Sequence, residues 1–353
     1  MKTMKAARWY AAKDIRIEET SIPTPNDNQV KIAVKFTGIC GSDLHEYTAG
    51  PQLIPVDKPY PLNGHQGTTT LGHEFAGVVE EVGKNVKNVK KGDRVTVEPI
   101  FRNPASPFIT NGQYNLSEPL GFVGLTSNGA FAKYTVVEDY MVHKIPDTMT
   151  FEQAAIVEPA AVAAYAVQQS RMKMGDTVLI TGAGPIGLLT VQVALAMGAS
   201  QIFVSDLSEN RLKKAKEVGA THTFDARDKD VPKKIRELTG NGVDIFIDAA
   251  GVQQSFDTGI NSLRNGGMAI LVALFGKEIV HDALDQALRE LTIKGIIGYR
   301  NIFPEVIALI SSGRLPVEKL ITNVISLDEV VEKGFDALIK DPSEVKILVD
   351  LEK

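Results

Sequence analysis

Hydrophobic and polar positions follow two different patterns along the chain, and the change between them lies near residue 150. Before it, short β-branched segments alternate with Gly, Pro and Asn, a pattern that predicts strands joined by turns. The clearest segments are VKIAVKFTGI, FAGVVEEVG, DRVTVEPI, FAKYTVVE and YMVHKIP. From Phe151, the alanine-rich segment FEQAAIVEPAAVAAYAVQQS predicts one or two helices.

Strands and helices alternate in the second region, from TVLITG to MAILVAL. This alternation predicts a parallel sheet with helices on both faces. The pattern loosens after Leu291, where GIIGYR, a helix over 304–312 and a final strand VKILVD follow. We expect that strand to return to the first region. The prediction is an α/β fold of two domains, a β-rich one over 1–155 plus 295–353 and a second one over 156–294.

Composition agrees with two folded domains and excludes several classes of protein. The chain has 353 residues, and a prior of about 150 residues per domain gives two. With 44% hydrophobic and 23% charged residues, neither disorder nor a fibrous repeat is favoured. A net charge of -5 without a long Lys/Arg stretch argues against nucleic acid as a partner.

Two segments bear on the cellular location. The first 20 residues become charged before a long apolar core develops, so we expect no cleaved signal peptide and a cytoplasmic protein. The apolar run over 177–198 has the length of a membrane span, but four Gly and Pro residues in its first half favour a strand, a turn and a buried helix. We therefore expect no contact with a membrane.

A glycine-rich turn follows the strand TVLITG and directly precedes a helix. Gly182, Gly184 and Gly187 have the spacing G-x-G-x-x-G, and Pro185 and Ile186 open the helix. The first glycine permits a tight turn, the second lets the backbone approach a pyrophosphate, and the third allows close helix packing, while the helix N-terminus supplies N–H groups. The sequence thus predicts a Rossmann dinucleotide-binding domain.

Asp206 ends the next strand, QIFVSD, at the position where a carboxylate accepts hydrogen bonds from the adenosine ribose. It would repel a 2′-phosphate, and Leu207 and Ser208 follow it rather than a cation, so we predict NAD rather than NADP. Arg211 either lies against the adenine or is an ordinary solvated helix residue, and the sequence leaves both open.

Three separate segments carry residues suited to a catalytic metal: GICGSDLHEY with Cys40, LGHEFAGVVEEVG with His73 and Glu74, and AAIVEPAAVAAY with Glu158. Catalytic zinc takes about three protein ligands of these types and keeps one position open. Cys40, the one cysteine of the chain, excludes an intrachain disulfide and an all-thiolate site. A buried thiol, a loop histidine and a solvated carboxylate are the ordinary explanations, and spacing does not decide between them.

The segment GHEFAGVVEEVG, followed by KGDRV, resembles the signature of the zinc-dependent medium-chain alcohol dehydrogenases. The similarity extends from CGSDLHEY through VEPI, LGFVGL and EPAAVAAY to VKILVD, and within the family it is strongest to 2,3-butanediol dehydrogenases. It implies a GroES-like catalytic domain, an active site in the cleft between the two domains, and a homodimer or homotetramer.

The same resemblance assigns roles to individual residues. The residues matching Cys40, His73 and Glu158 hold or approach the zinc, and the one matching Glu74 is an alternative ligand. Ser42 and His45 match a relay that leads the substrate proton to water while hydride leaves the carbon. Asp43 is either a solvated carboxylate or the group that orients a ligand imidazole.

The lobe after VEPI departs from the common family pattern, in which four cysteines hold a structural zinc. Residues of other types stand at the corresponding positions, namely Asn103, Ser106, Ile109 and Ser117. We therefore expect one catalytic zinc per chain and no structural zinc, with the lobe held by packing and hydrogen bonds.

The resemblance favours interconversion of a vicinal diol such as 2,3-butanediol and the hydroxyketone acetoin, and leaves a sorbitol-like polyol or threonine open. The candidates for the substrate pocket are Tyr47, Ile54, Phe122 and Val123, although a role as an ordinary core side chain is favoured for each one taken singly. Two other hypotheses are a zinc-free alkene or quinone reductase and a non-catalytic NAD-binding protein.

Overall fold

The computed structural model describes residues 2–353. Its strands, in chain order, are β1 Thr3–Ala11, β2 Asp14–Ser21, β3 Gln29–Gly38, β4 Thr69–Thr70, β5 Glu74–Val82, β6 Arg94–Val97, β7 Tyr134–Glu138, β8 Val142–Lys144, β9 Thr177–Thr181, β10 Gln201–Asp206, β11 His222–Asp225, β12 Val243–Asp248, β13 Leu263–Leu271, β14 Thr292–Gly295, β15 Ile321–Ser326 and β16 Lys346–Asp350.

The α-helices are α1 Gly41–Ala49, α2 Pro107–Thr110, α3 Phe151–Ala155, α4 Val157–Gln169, α5 Pro185–Ala196, α6 Glu209–Glu217, α7 Val231–Thr239, α8 Gln253–Ser262, α9 Ala283–Leu288, α10 Phe303–Ser311 and α11 Ala337–Lys340. Short 3-10 turns lie at Tyr114–Leu116, Asp139–Met141, Val317–Leu320 and Leu327–Glu329, and a π-helical turn lies at Val330–Asp336.

The first compact unit contains the chain up to Glu158 together with Phe303–Ser312 and Ile321–Lys353. Its main sheet has the order β15-β16-β3-β5-β6-β8, with β7 also paired to β3, and a smaller sheet has the order β2-β1-β4. The final strand β16 pairs antiparallel with β3, so the end of the chain lies beside the strand that leads to Cys40.

The core of this unit follows from the alternation of its strands. In β3, every second residue from Val30 to Val34 is buried, as expected of a strand with one face on a core. Valine and aromatic side chains of β3, β5, β6 and β7 fill one cluster. A second cluster joins Trp9 and Phe131 to the side chains of β16, which fixes the strands that lead to the predicted metal ligands.

The second compact unit contains Pro159–Ile302 and Gly313–Leu320. Its six strands are all parallel, in the order β11-β10-β9-β12-β13-β14. The central strands are apolar and buried along nearly their whole length, as expected of a parallel sheet covered on both faces. The order matches that of a doubly wound dinucleotide-binding sheet, in which the strand sequence reverses between β9 and β12.

The structure places the borders of its compact units close to Glu158 and Ile302, whereas the sequence suggested borders at 155 and 294. The apolar run over 177–198, which has the length of a membrane span, contains β9, the glycine turn and α5, as predicted. Among the described residues, none of the helices combines the length and the apolar character needed to cross a bilayer.

Candidate active site

Cys40 lies at the point where β3 passes into α1, as the residue directly before the helix. Its backbone N–H donates to Asp43 Oδ2 at 3.0 Å, which ends the strand and begins the helix in one short turn. The preceding residue, Ile39, donates its N–H to Ile347 O on β16. The backbone at Cys40 is therefore fixed by the main sheet on one side and by the start of α1 on the other.

Three of the four predicted metal ligands come together in the structure. The Cys40 sulfur, a His73 ring nitrogen and a Glu74 carboxylate oxygen all lie within 4.8 Å of one another. His73 and Glu74 are 4% and 1% exposed, and Cys40 is partly buried. Residues from two separate segments thus form one small cluster that combines sulfur, nitrogen and oxygen donors.

Asp43 is fully buried and organises this cluster. Its Oδ1 lies 3.5 Å from His73 Nδ1 and accepts from the Gly72 N–H at 3.4 Å. A carboxylate beside one ring nitrogen favours a proton there and leaves the other nitrogen as the metal donor. Of the two interpretations of Asp43 that the sequence left open, the structure has the one in which it contacts the imidazole.

His73 differs from an ordinary buried histidine because negatively charged groups lie close to its ring. Burial alone lowers the pKa of His73, but the negative charges of Asp43 and Cys40 outweigh burial and raise that pKa well above its usual value. On its other side, His73 Nε2 lies 3.2 Å from Ser42 Oγ. The predicted relay serine therefore contacts the ring at the nitrogen that faces away from Asp43.

Glu74 forms a buried ion pair with Lys346 on β16. Lys346 Nζ donates to Glu74 Oε2 at 2.6 Å and to Ile39 O at 3.0 Å, with side chains 2% and 1% exposed for the lysine and the glutamate. Burial lowers the pKa of Lys346, but Glu74 and Cys40 outweigh it and raise that pKa. One carboxylate oxygen of Glu74 is thus engaged by a cation.

Two further predicted residues lie outside the group of three. Glu158 is buried near the start of α4, and its charge contributes to the electrostatic field at Lys346, but its carboxylate is not among the atoms that lie within 4.8 Å of one another. His45 is exposed on α1, three residues after Ser42 and on the same side of the helix. An exposed imidazole is suitably placed for the outer end of a relay.

The donor set fits a catalytic zinc ion. Thiolate, imidazole and carboxylate are the ligands that zinc takes in proteins. The Asp43 contact supplies the second partner that zinc-bound histidines almost always have. The cluster lies in the first compact unit, on the elements that the main sheet positions.

The glycine turn of the second unit has the geometry that a pyrophosphate needs. Gly182 adopts φ +88°, and a Cβ at Gly187 would lie 1.8 Å from Gly182 O, so neither position accepts a larger residue. A Cβ at Gly184 would instead stand in open space, at the N-terminus of α5, where Pro185 and Ile186 form the first turn. The space beside Gly184 therefore suits an anionic group.

Asp206, at the end of β10, stabilises the glycine turn through hydrogen bonds. Its Oδ2 accepts from the Ala183 N–H at 2.7 Å and its Oδ1 accepts from the Ser208 N–H at 2.8 Å. Each carboxylate oxygen retains capacity for a further donor, such as a ribose hydroxyl. Arg211 is half-buried in the first turn of α6, where its N–H faces Ser208 Oγ.

The lobe that follows β6 is held by side-chain hydrogen bonds and by one arginine. Asn103 Nδ2 donates to Glu118 O, and the backbone N–H of Asn103 faces Ser117 Oγ. Ser106 caps the short helix α2, which contains Ile109. The Arg102 guanidinium carbon lies 3.8 Å from the ring centre of Tyr114 and 4.7 Å from that of Tyr140.

The four candidate pocket residues have different surroundings. Tyr47 is buried, and its hydroxyl donates to Asp336 Oδ1 at 3.1 Å. Ile54 and Val123 are also buried, whereas Phe122 is half-buried. Tyr47 and Ile54 belong to the core cluster that also contains Leu71, two residues before His73.

Comparisons with known proteins follow the division seen in the structure. The family described as "Alcohol dehydrogenase GroES-like domain" matches residues 26–147, and the one described as "Zinc-binding dehydrogenase" matches residues 185–312. The (R,R)-butanediol dehydrogenase of Bacillus subtilis is 47% identical over 98% of this chain and 99% of its own. Sorbitol dehydrogenase of Rattus norvegicus is 37% identical over 94% of both chains.

Solved structures show the same relationship. The crystal structure of 2R,3R-butanediol dehydrogenase from Bacillus subtilis superimposes with a TM-score of 0.94, at 46% identity and 99% coverage of both chains.

The fold, the metal-ligand cluster and the glycine turn together define a two-domain dehydrogenase with a metal site and a dinucleotide site. The chain belongs to the zinc-binding, medium-chain alcohol dehydrogenase family.

Family membership confirms the predicted fold of a GroES-like and a Rossmann domain, the enzyme class, and the use of zinc and a nicotinamide cofactor. It also argues against the zinc-free reductase and the non-catalytic binding protein. Lys346 was not identified from the sequence; the available signal was a single lysine in the otherwise apolar strand VKILV.

Proposed function

We propose that this enzyme catalyses the reversible, NAD-linked oxidation of a vicinal diol to a hydroxyketone, with 2,3-butanediol and acetoin as the favoured pair. The observation that carries the proposal is the buried cluster of Cys40, His73 and Glu74, organised by Asp43. The substrate class is supported by the 47% identity to the (R,R)-butanediol dehydrogenase of Bacillus subtilis, which is higher than the 37% identity to the sorbitol dehydrogenase of Rattus norvegicus.

In this proposal Cys40, His73 and Glu158 hold the zinc, and Glu74 is an alternative ligand. The ion stabilises an alkoxide and polarises a ketone when it is bound. Asp43 keeps a proton on the far side of the His73 ring, and Lys346 balances the charge of Glu74. The protein thus confines several negative groups around one site without leaving Glu74 unpaired.

Ser42 and His45 carry the proton that the alcohol loses. The Ser42 hydroxyl lies within hydrogen-bond distance of the His73 ring and belongs to the same helix face as the exposed His45. An imidazole can both accept and donate a proton through its ring nitrogens, so the exposed His45 can pass the proton to water. The proton would leave through side chains of α1, and a bound nicotinamide cofactor would accept the hydride.

The cofactor is NAD(H), bound by Gly182, Gly184, Pro185, Ile186, Gly187, Asp206 and Arg211. A carboxylate at Asp206 disfavours a 2′-phosphate, and Leu207 rather than a cation follows it. We further propose one catalytic zinc per chain and no structural zinc, because the lobe is held by Arg102 and hydrogen bonds.

The working form is proposed to be a cytoplasmic homodimer or homotetramer, with a catalytic domain over 1–155 plus 295–353 and a cofactor domain over 156–294. A reducing compartment keeps the Cys40 thiol available for the metal. Large exposed apolar side chains support self-association: Leu274, Val280, Leu284 and Leu288 are 64%, 82%, 68% and 75% exposed.

The deciding experiment is the initial rate of NADH formation with each 2,3-butanediol stereoisomer, sorbitol, xylitol and threonine, with and without a zinc chelator. Fast and chelator-sensitive turnover of one butanediol isomer is the expected result. A preference for a polyol or threonine keeps the chemistry and replaces the substrate. Absence of alcohol-dependent NADH with every substrate contradicts the proposal.

A Cys40→Ser variant tests the role of the metal directly. The loss of one zinc ligand is expected to abolish nearly all turnover, because the metal supplies the charge stabilisation of the alkoxide. NADP in place of NAD tests Asp206, and a rate with NADP equal to that with NAD contradicts its assigned role.

A further inference from the structure

Asp248 stands at the carboxyl end of β12 and has no role in the reaction described above. It is 0% exposed. Its Oδ1 accepts from the N–H groups of Ala250 at 2.8 Å and Gly251 at 2.9 Å, and its Oδ2 accepts from Ser255 Oγ at 2.9 Å. The side chain therefore closes the turn that follows β12 and ties it to α8.

The order of the parallel sheet shows where this turn lies. β9 is flanked by β10 on one side and by β12 on the other. The strand sequence reverses between β9 and β12, and in open parallel sheets ligands bind outside the carboxyl ends of the strands at such a switch point. The glycine turn after β9 forms one side of that point, and the turn after β12 forms the other.

The two turns are in direct contact. A Cβ at Gly182 would lie 2.9 Å from the carbonyl carbon and oxygen of Ala249, so the glycine turn packs against this backbone. The Ala249 N–H donates to Thr181 O at 2.9 Å, immediately before the glycine turn. A displacement of the turn after β12 would therefore displace the pyrophosphate-binding turn as well.

Asp248 also connects a third turn. Its main-chain carbonyl accepts from the N–H groups of Val272 and Ala273, both at 3.0 Å, directly after β13. Burial raises the pKa of the Asp248 carboxyl despite the hydrogen bonds that it accepts. A turn at the surface can be closed by an exposed side chain, so the burial of this acid indicates a further role.

We propose that Asp248 is a positioning residue of the dinucleotide site, whose carboxylate holds the turn Ala249–Gly251 in the shape that supports the glycine turn across the switch point. The inference rests on the proposed NAD(H) function. Asp206 supports the same glycine turn from β10 through the Ala183 N–H. Carboxylates on both neighbouring strands thus fix the geometry into which the cofactor binds.

The test compares NADH affinity in the full-length, zinc-loaded enzyme and four variants, with zinc content measured for each. Asp248→Ala leaves the buried N–H group of Gly251 and the partly buried one of Ala250 without their acceptor, and we expect NADH binding at least about tenfold weaker. Ser255→Ala removes one contact and should weaken NADH binding by about threefold. Asp248→Asn keeps one carbonyl oxygen for the two backbone N–H groups, and its amide N–H can donate to Ser255 Oγ in place of the contact that Oδ2 accepts, so it should bind NADH nearly as the parent does.

Asp257→Asn is the matched control, because Asp257 is an exposed carboxylate on the same helix, α8. It should leave NADH binding and zinc content unchanged. If Asp248→Asn binds NADH much better than Asp248→Ala does, the hydrogen bonds of Asp248 position the turn and its negative charge is not required. If Asp248→Ala does not fold, Ser255→Ala decides: affinity equal to that of the parent overturns the proposal.

Two failures are distinguishable. If the parent enzyme does not bind NADH, the proposed function fails. If the parent binds NADH and neither Asp248→Ala nor Ser255→Ala weakens it, only the positioning role fails. A rise in the KM for NAD without a matching rise in the KM for the alcohol is the kinetic signature of the positioning role.

Discussion

The ammonium group of Lys346 lies in a fully buried position, where a charge without a partner is strongly unfavourable. Its partner, Glu74, is equally buried and belongs to the metal cluster. The pair therefore links the final strand of the chain to the metal site. Removal of either member leaves the other charge buried and unpaired, which costs more than the pair itself contributes.

Lys346→Met is expected to lower the free energy of unfolding by about 3–5 kcal/mol, as for other broken buried pairs. Urea unfolding at constant zinc concentration measures the loss. Lys5→Met is the matched control, because Lys5 and Asp328 form a pair with side chains 57% and 61% exposed. That control should cost less than about 1 kcal/mol.

The double variant Glu74→Gln with Lys346→Met completes the argument for this pair. It removes both charges, so it should recover much of the stability that the single variant loses. Equal losses in Lys346→Met and Lys5→Met would contradict the prediction. The prediction would also be contradicted if the double variant lost as much free energy of unfolding as Glu74→Gln and Lys346→Met lose together when each is measured alone.

Asp43 offers a second prediction for single residues, since its carboxylate contacts the His73 ring at 3.5 Å. Asp43→Asn should weaken zinc binding by about 10–100-fold, as observed for other partners of ligand histidines. Competition with a chelator measures the affinity independently of turnover. Asp57→Asn, an exposed position in the same unit, should leave zinc affinity unchanged.

At the scale of elements, Arg102 is one of the side chains that hold the lobe after β6. Arg102 lies between the rings of Tyr114 and Tyr140, and its Nη2 lies 3.4 Å from the buried carboxylate of Glu98. His143 Nε2 lies 3.0 Å from the same carboxylate oxygen. An arginine suits this position because its planar cation stacks on aromatic faces while its N–H groups reach a carboxylate.

Arg102→Met is expected to loosen the lobe and increase proteolytic cleavage within 101–121, with zinc content unchanged. Arg102→Lys should recover only part of the protection, because an ammonium does not stack as a guanidinium does. Arg94→Met is the control, since Arg94 lies 4.4 Å from the Phe151 ring centre, outside the lobe. Equal cleavage of the lobe in both methionine variants would refute this role.

The elements differ in how far sequence could predict them. The strand, glycine turn and helix around Gly182 are contiguous, so local patterns predicted them together with Asp206. The cluster of Cys40, His73 and Glu74 required a family resemblance, because spacing does not show that distant segments meet. The Lys346 contact joins residues 272 positions apart; the apolar strand around it singles out the lysine but does not indicate its partner.

Asp248 illustrates a different limit. The partners of its side chain are all local, at positions two, three and seven residues further on, but an aspartate at the end of a buried strand has the same pattern as an ordinary turn residue. Its importance follows from the order of the strands, since only that order places its turn beside the glycine turn. Strand order is a property of the assembled sheet.

At the scale of the whole molecule, a group of exposed apolar side chains offers a test of the proposed self-association. Residues 272–291 carry the exposed side chains of Leu274, Val280, Leu284 and Leu288, and this segment adjoins β14, the edge strand of the six-stranded sheet. A monomer would leave both the apolar side chains and the strand edge in water, which favours aggregation. A second copy of the chain would cover both.

Leu284→Glu combined with Leu288→Glu is therefore expected to shift the enzyme to a smaller species in analytical ultracentrifugation, because charge is disfavoured in a buried apolar contact. Met174→Glu is the control, since Met174 is 87% exposed elsewhere in the same unit. It should leave the sedimentation coefficient unchanged. If the parent sediments as a monomer, or the leucine variant as the parent oligomer, this segment is not the interface, and its exposed leucines need another explanation.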